Sequence, residues 1–222
     1  MQVLDRSMMI VDAVAVRGAS TLAELTVTTG IPRPTVHRLA VALERHGLLR
    51  RDGDGSFRLG GRLVGWGAAA TRAWPVVELA QPVLDRLAAR SGESAQLYVR
   101  EADNRVCVAR AERSSGLRDT VPLGAALPLD KGSGGTVLLA FAGARGRRYD
   151  AVRARGWAES VGEREPGVAS VSAPVHGAPG SVALVGAISV SGPVERLGRS
   201  PGRRLAPHVT AAARELERAL HH

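Results

Sequence analysis

The stretch from Ser20 to Gly60 constrains this chain most, because it sets two short helices and a glycine-turned hairpin end to end. Thr21-Leu22-Ala23-Glu24 has the form of a capping box, in which a hydroxyl and a carboxylate close the start of a helix. That helix runs from Leu22 to about Thr28 and stops at Gly30, which can take the left-handed backbone of a C-cap. Ile31-Pro32-Arg33-Pro34 then forces a turn, since residues before proline avoid the helical region. Pro34 suits the first position of a second helix, which is expected to reach His46 and end at Gly47. Two helices joined by a tight turn and followed by a hairpin make a winged helix-turn-helix, a module that reads double-stranded DNA.

The faces of the second helix sharpen that reading. Val36, Leu39, Ala40 and Leu43 form one apolar stripe for a core. Arg38, Val41 and Arg45 point the other way, with Thr35 and His37 on the flanks. Arginine can bond a guanine edge with two donors, and threonine a base or a phosphate. Arg33 and Thr21, near the starts of the two helices, complete the DNA-contact candidates on this pair. In the hairpin, Asp52-Gly53-Asp54-Gly55 supplies the tight turn. Leu49, Phe57 and Leu59 are expected to cover the helices, leaving Arg50, Arg51 and Arg58 for phosphate.

Composition supports this without deciding it. The net charge is +9, yet Lys131 is the one lysine among 30 basic residues, a bias expected of a genome rich in G and C. Through Pro75 there are 10 basic and 6 acidic residues, against 20 and 15 afterwards, so the first part is the more basic per residue. No apolar run reaches the roughly 18 residues a membrane span needs, and the N-terminus lacks a secretory pattern. Cys107 stands alone, which excludes an internal disulfide and a multi-cysteine zinc site. These features fit a cytoplasmic protein with no metal and no cofactor.

Along the chain, Leu4–Arg17 is predicted as a first helix, with Ile10, Val11 and Val14 packing on the pair. Arg62–Trp74 is predicted as a linker helix whose Trp66 and Trp74 bury against a second domain or subunit. The expected division is therefore a DNA-binding domain over 1–60, a linker over 61–75 and a second domain over 76–222. An amphipathic helix from Val76 ends at Ser91-Gly92, and the period then turns to alternation. Strands are predicted over Ser94–Glu101, Arg105–Arg113, Leu117–Leu123, Gly156–Val161, Val168–Val175 and Ser181–Ser191. Helices are predicted over Thr136–Ala142, after a turn at Gly132–Gly135, over Ala151–Gly156, and over Leu205–Leu220 after a polar loop at Gly198–Arg204. The fold class is α+β around an antiparallel sheet.

Several segments resemble the IclR family of bacterial transcription regulators. They are Gly30–Leu39, Gly92-Glu93 before a strand, Arg155-Gly156-Trp157, Glu163 ahead of Gly167-Val168, Ser172–Val175 and Ile188–Pro193. The resemblance implies a winged-helix domain followed by a GAF-like effector-binding domain, assembled as homodimers and often as dimers of dimers. Ser94–Tyr98, Gly116–Pro122 and Gly162–Ser170 look like a branch that regulates amino-acid metabolism, notably leucine biosynthesis. Carried over by motif, the effector pocket comprises Leu127, Gly132, Ser133, Ser160, Val168, Ser170, Ser189 and Ser191. Ser189 and Ser191, two apart on a strand, face one side and can converge on one ligand group. Amides of the Gly132–Gly135 turn would favour a carboxylate. Where many family members have Gly-Lys-Ala after the pocket loop, this chain has Gly135-Thr136-Val137, and Phe141–Ala151 is short for a covering helix. An inward-facing Asp119 could receive an ammonium group, so the expected effector is a small carboxylate or an amino acid.

Two other readings stand beside this one. A hydrolase would need a nucleophile, a base and an oxyanion hole, but Gly132-Ser133-Gly134 lacks the nucleophile-elbow spacing. His176 is expected in a loop and Cys107 buried in a strand. There is no Walker A loop, zincin motif or dinucleotide fingerprint, so catalysis is not expected. A DNA-binding protein without a ligand remains the alternative, although the second domain is larger than dimerisation requires.

Overall fold

The computed structural model describes residues 2–177 and 183–221, and its backbone divides into two compact units, one ending at Ala73 and the other beginning at Trp74. The first unit contains α1 (Gln2–Arg17), α2 (Leu22–Thr29), α3 (Arg33–Arg45), β1 (Leu49–Arg51), β2 (Phe57–Leu59) and α4 (Arg62–Ala73). The capping box forms as its sequence dictates. The Thr21 hydroxyl accepts the Glu24 amide at 3.3 Å, and the Glu24 carboxylate accepts the Thr21 amide at 2.8 Å. Gly30 adopts φ +67 and donates its amide to the Thr26 carbonyl, ending α2. Ile10, Val14, Leu25, Val36, Ala40, Leu43, Leu49 and Phe57 fill the core between the three helices and the hairpin.

This unit adds one contact and changes one expectation. Ser20 exchanges two backbone hydrogen bonds with Phe57, at 2.9 and 2.8 Å, adding a bridge to the wing that no local pattern announces. Leu59, the last residue of β2, lies outside the core and stays 39% exposed instead of covering the helices. Trp66 is 53% exposed and Trp74, where the second unit begins, 39% in the single chain. Gly60 passes so close to the Gly47 carbonyl that a Cβ would overlap it, which fixes glycine at the exit from the wing.

The second unit begins with α5 (Pro75–Ser91), β3 (Ser94–Glu101), β4 (Asn104–Ala111), β5 (Ala126–Pro128), α6 (Gly132–Phe141) and α7 (Arg147–Arg155). It continues with β6 (Ala158–Val161), β7 (Val168–His176), β8 (Leu184–Pro193), α8 (Val194–Leu197) and α9 (Gly202–Ala219). Six antiparallel strands follow the order β5-β4-β3-β8-β7-β6. Helices α5 and α9 cover one face through Leu84, Leu87, Leu97, Val171, Ile188, Val209 and Leu216. Helix α6 covers the other over Tyr98, Cys107, Leu129, Val137 and Leu138. The result is an N-terminal winged helix-turn-helix joined to an α+β sheet domain.

The sheet departs from the expected strands in informative ways. Leu117–Leu123 is not a strand, because Pro122 has no amide to donate and Gly124, at φ +79, turns the chain first. Pairing with β4 resumes only at Ala126–Pro128. Gly132-Ser133-Gly134-Gly135 form the first turn of α6 itself rather than a turn before it. The strand expected from Ser181 begins at Leu184, and positions 181 and 182 lie outside the described residues. The expected polar loop gives way to α9 at Gly202. His176 ends β7, and its amide and ring Nδ1 both meet Glu217, at 2.9 and 2.8 Å.

Candidate functional site

Helix α3 presents Arg33, His37, Arg38 and Arg45 to solvent, with Thr35 half-buried beside them. None of these four basic side chains has an acidic partner among the described residues, so the face keeps its charge. Val36, Ala40 and Leu43 anchor the opposite side, which fixes that face outward. The wing differs from expectation. Arg50 and Arg58 both pair with Asp52, so a single carboxylate draws on two of the three wing arginines. Arg51 lies over the Phe57 ring at 4.6 Å and has no acidic partner among the described residues. The Thr21 hydroxyl is committed to its cap and is not free for DNA. The open cationic surface is therefore α3 together with Arg51.

The second unit carries a polar chamber under α6. Register brings hydroxyls into a ladder across the sheet: Ser160 faces Ser170, Ser170 faces Ser191, and Ser172 faces Ser189. Gln96 stands opposite Ser189 on the next strand, and Ser191 donates to it at 3.2 Å. Ser133, from the first turn of α6, sits 2.7 Å from both Ser170 and Ser172. Ser160 contacts Ser170 at 3.0 Å, and Ser172 donates to Ser189 at 2.9 Å. Burying this many hydroxyls is tolerable only because they satisfy one another.

The glycines of α6 make the chamber possible. A Cβ at Gly135 would overlap the Leu129 carbonyl, and one at Gly134 would come within 3.2 Å of the Tyr98 ring. Residues without side chains thus let the helix lie directly on Arg105 and Tyr98. The helix amides are partly used: Gly132 donates to Glu163 at 3.0 Å and Ser133 to the Ser160 hydroxyl at 3.1 Å. Glu163 is itself held by Arg148 at 2.8 Å. The Gly132 amide at the helix start is thus already served by a protein carboxylate, the kind of group expected to be favoured there.

Positive charge inside the chamber comes instead from Arg105, which is 3% exposed. Its guanidinium lies over the Tyr98 ring at 5.3 Å and donates to the carbonyls of Pro128 and Lys131. Its Nε has no partner among the described residues, and no carboxylate pairs with it there. Burial pulls the guanidinium below the ordinary arginine range and pushes the Tyr98 phenol and the Cys107 thiol up, the thiol to about 11. At the rim, Arg164 holds both oxygens of Asp119 at 2.6 Å. Asp119 lines the chamber, the condition for its receiving an ammonium group, but both its oxygens are held by Arg164 in this structure.

The chamber therefore unites Asp119, Gly132, Ser160, Val168, Ser170, Ser189 and Ser191, with Ser133 bonded into its floor. Leu127 packs in the apolar cluster beneath α6 and is not part of the lining. Tyr98, Arg105, Gly134 and Arg164 line the chamber and were not expected there. The signal for Arg105 was hidden by a bulge in β4. Leu97 pairs with Ala109 but Tyr98 with Cys107, so Val108 is extra and the inward parity switches. About 10 Å³ stays free, room for about one water. A larger groove of about 460 Å³ lies beside Trp157 and His176. There His176 is held by Glu217, and Arg153 by the carbonyls of Ala140 and Ala144, with no orphaned polar atom.

A reading helix with unpaired cations, on a unit separate from a chambered sheet domain, is the build of a DNA-binding transcriptional regulator. Residues 3–53 match the IclR helix-turn-helix domain, and residues 68–149 and 146–218 match the bacterial transcriptional regulator IclR C-terminal domain. The chain belongs to the IclR family, whose members are transcriptional regulators and not enzymes. It is 30% identical to the HTH-type transcriptional regulator BhcR of Paracoccus denitrificans, over 96% of this chain and 85% of that protein. It is also 30% identical to a glycerol operon regulatory protein of Streptomyces griseus, over 90% and 86% of the two chains. Among solved structures it resembles an IclR homologue of Microbacterium hydrocarbonoxydans complexed with 4-hydroxybenzoate, with a TM-score of 0.75, 22% identity and 97% of each chain covered. No helix among the described residues is long and apolar enough to cross a membrane.

Proposed function

We propose that the chain binds operator DNA through α3 and that a small carboxylate in the chamber under α6 changes its operator affinity. The observation that carries the ligand reading is Arg105, a buried cation without a carboxylate partner facing a floor of hydroxyls. An unpaired buried charge is costly, and an incoming anion would relieve that cost. Ser170, Ser189 and Ser191 would orient the rest of the ligand, and Arg33, Thr35, His37, Arg38 and Arg45 would contact DNA. Two copies would set two reading helices on half-sites about 34 Å apart. The exposed Val64 and Trp66 of α4 support assembly as a homodimer, or a dimer of dimers, with α4 linking the two units. The narrower role, control of amino-acid and specifically leucine metabolism, is supported by the segments Ser94–Tyr98, Gly116–Pro122 and Gly162–Ser170.

The test is fluorescence anisotropy with the DNA upstream of the chain's own gene and of a leucine-biosynthesis operon. It is run at two salt concentrations, with leucine, pyruvate and 4-hydroxybenzoate in turn; the last is the ligand bound by the Microbacterium homologue. Salt-sensitive specific binding that one acid shifts by about 5- to 150-fold is the expected result. Specific binding that no acid moves would favour a ligand-independent DNA-binding protein. Binding to the first DNA but not the second would end the leucine assignment.

A further inference from the structure

We propose that Asp119 is a tethered stand-in for the effector's carboxylate, and that a ligand enters by taking its place on Arg164. This rests on the reading of the chamber as the effector site and adds how that site selects its ligand.

Three observations converge on the pair. First, a single Arg164 nitrogen holds both Asp119 oxygens at 2.6 Å, with the Asp119 side chain 6% exposed. Second, Asp119 and Val168 line the closed chamber and also an outer cleft of about 350 Å³, which runs along Leu117–Thr120 and Glu165–Val168. The ion pair therefore stands at the boundary between a cleft open to solvent and a space too small for anything but water. Third, the charges inside do not balance without it. Arg105 has no ion-pair partner among the described residues and feels Asp130 only at a distance, and Arg164 keeps only the exposed Glu165, so once Asp119 leaves, two guanidiniums face one space.

The chemistry of exchange follows. A neutral ligand that displaced Asp119 would leave Arg105 without an ion-pair partner and Arg164 with only the exposed Glu165, at 3.4 Å, which low-dielectric surroundings penalise. A monocarboxylate restores the lost anion and supplies a second acceptor that can reach Arg105. Swapping one carboxylate for another keeps the charge-assisted bonds and releases the segment that carried the first. That segment has little regular pairing: residues 112–125 belong to no strand, Leu117 and Leu123 are 71% and 58% exposed, and beyond Asp119 the buried Val121 is held by Arg110 at 3.1 Å. Its near end stays fixed, because Arg196 donates to the Leu117 carbonyl at 2.6 Å while gripping the buried Glu93. Asp119 thus swings on a short tether whose anchor does not move.

The gate makes ligand binding weaker than the open chamber would allow, since apparent affinity scales with the open fraction. The experiment is calorimetry on the full chain and on Asp119→Asn with 4-hydroxybenzoate, pyruvate, leucine and 4-hydroxybenzamide, beside amide hydrogen exchange of residues 113–124. Asparagine keeps the volume but loses the charge that holds Arg164. The expected result is about tenfold tighter binding of the active acid to the variant, with no amide binding to the wild type. The free variant should exchange over 113–124 as fast as the acid-bound wild type. Equal or weaker acid binding by a folded variant, or unchanged exchange, would overturn the stand-in role while leaving the chamber reading intact. No binding of any acid to either protein would overturn the chamber reading, and the proposal with it.

Discussion

Replacing Arg105 with methionine separates a residue kept for a ligand from one kept for the fold. The guanidinium is 3% exposed, donates to the Pro128 and Lys131 carbonyls and lies over Tyr98. Two hydrogen bonds contribute about 1–1.5 kcal/mol each, and the contact with the ring about 1 kcal/mol. Their loss would cost about 3–4 kcal/mol if nothing came back. Holding an ion out of water without a counter-charge costs several kcal/mol, and methionine removes that cost while filling much of the same apolar volume. The terms nearly cancel, so urea unfolding should change by less than about 1 kcal/mol. Carboxylate binding measured by calorimetry should fall by at least about tenfold, because the fixed cation is gone. A variant destabilised by more than about 3 kcal/mol that still binds the acid as well as the wild type would refute the reasoning. Arg105 would then be a strut between β4 and the segment before α6.

Other substitutions test the remaining parts. Arg38→Ala should weaken specific operator binding by about 5- to 150-fold in anisotropy, the loss of one bidentate base contact, with circular dichroism unchanged. Arg50→Ala should weaken it by less, because Asp52 already holds that guanidinium. Gly135→Ala should destabilise by more than about 2 kcal/mol in urea unfolding, since the new methyl meets the Leu129 carbonyl. Gly65→Ala in α4, where nothing lies within 4 Å, should instead stabilise by about 0.5–1 kcal/mol. The Cys107 thiol, raised to about 11 by burial, should resist iodoacetamide at pH 8 in the folded chain and react on unfolding. Because the unfolded thiol ionises first, near its ordinary value of about 8.5, this group's contribution to stability is whole below that pH and declines from there toward 11.

The parts that were legible from sequence are those whose determinants are local. Thr21, Glu24 and Gly30 specify both ends of α2 within ten consecutive positions, and each behaves as its chemistry requires. The Ser94–Glu101 strand matches its expected bounds, because Gly92 closes the helix before it and Ala102-Asp103 turns the chain after it. Ser189 and Ser191 share a face because they lie two apart on β8. What stayed hidden depends on partners far along the chain. Asp52 lies next to Arg51 in sequence, but only the closed hairpin gives both its oxygens to Arg50 and Arg58. Arg164 finds Asp119 across 45 positions, and Glu217 finds His176 across 41. The Val108 bulge is the sharpest case, since one unpaired residue moves Arg105 from the side its parity predicts to the opposite one.

The row of hydroxyls from Ser160 through Ser170, Ser133 and Ser172 to Ser189 has one sense of direction. Ser172 gives its one hydrogen to Ser189, so Ser133 must donate to Ser172, Ser170 to Ser133 and Ser160 to Ser170. Every hydroxyl hydrogen from Ser160 to Ser172 is thereby spent within the floor, which leaves these oxygens to a ligand as acceptors. The charged residues at the top then screen for an acid, while the floor favours an acid that carries a donor of its own. New compounds could be admitted to such a regulator by trimming apolar walls alone, leaving its hydrogen-bonding surface unaltered.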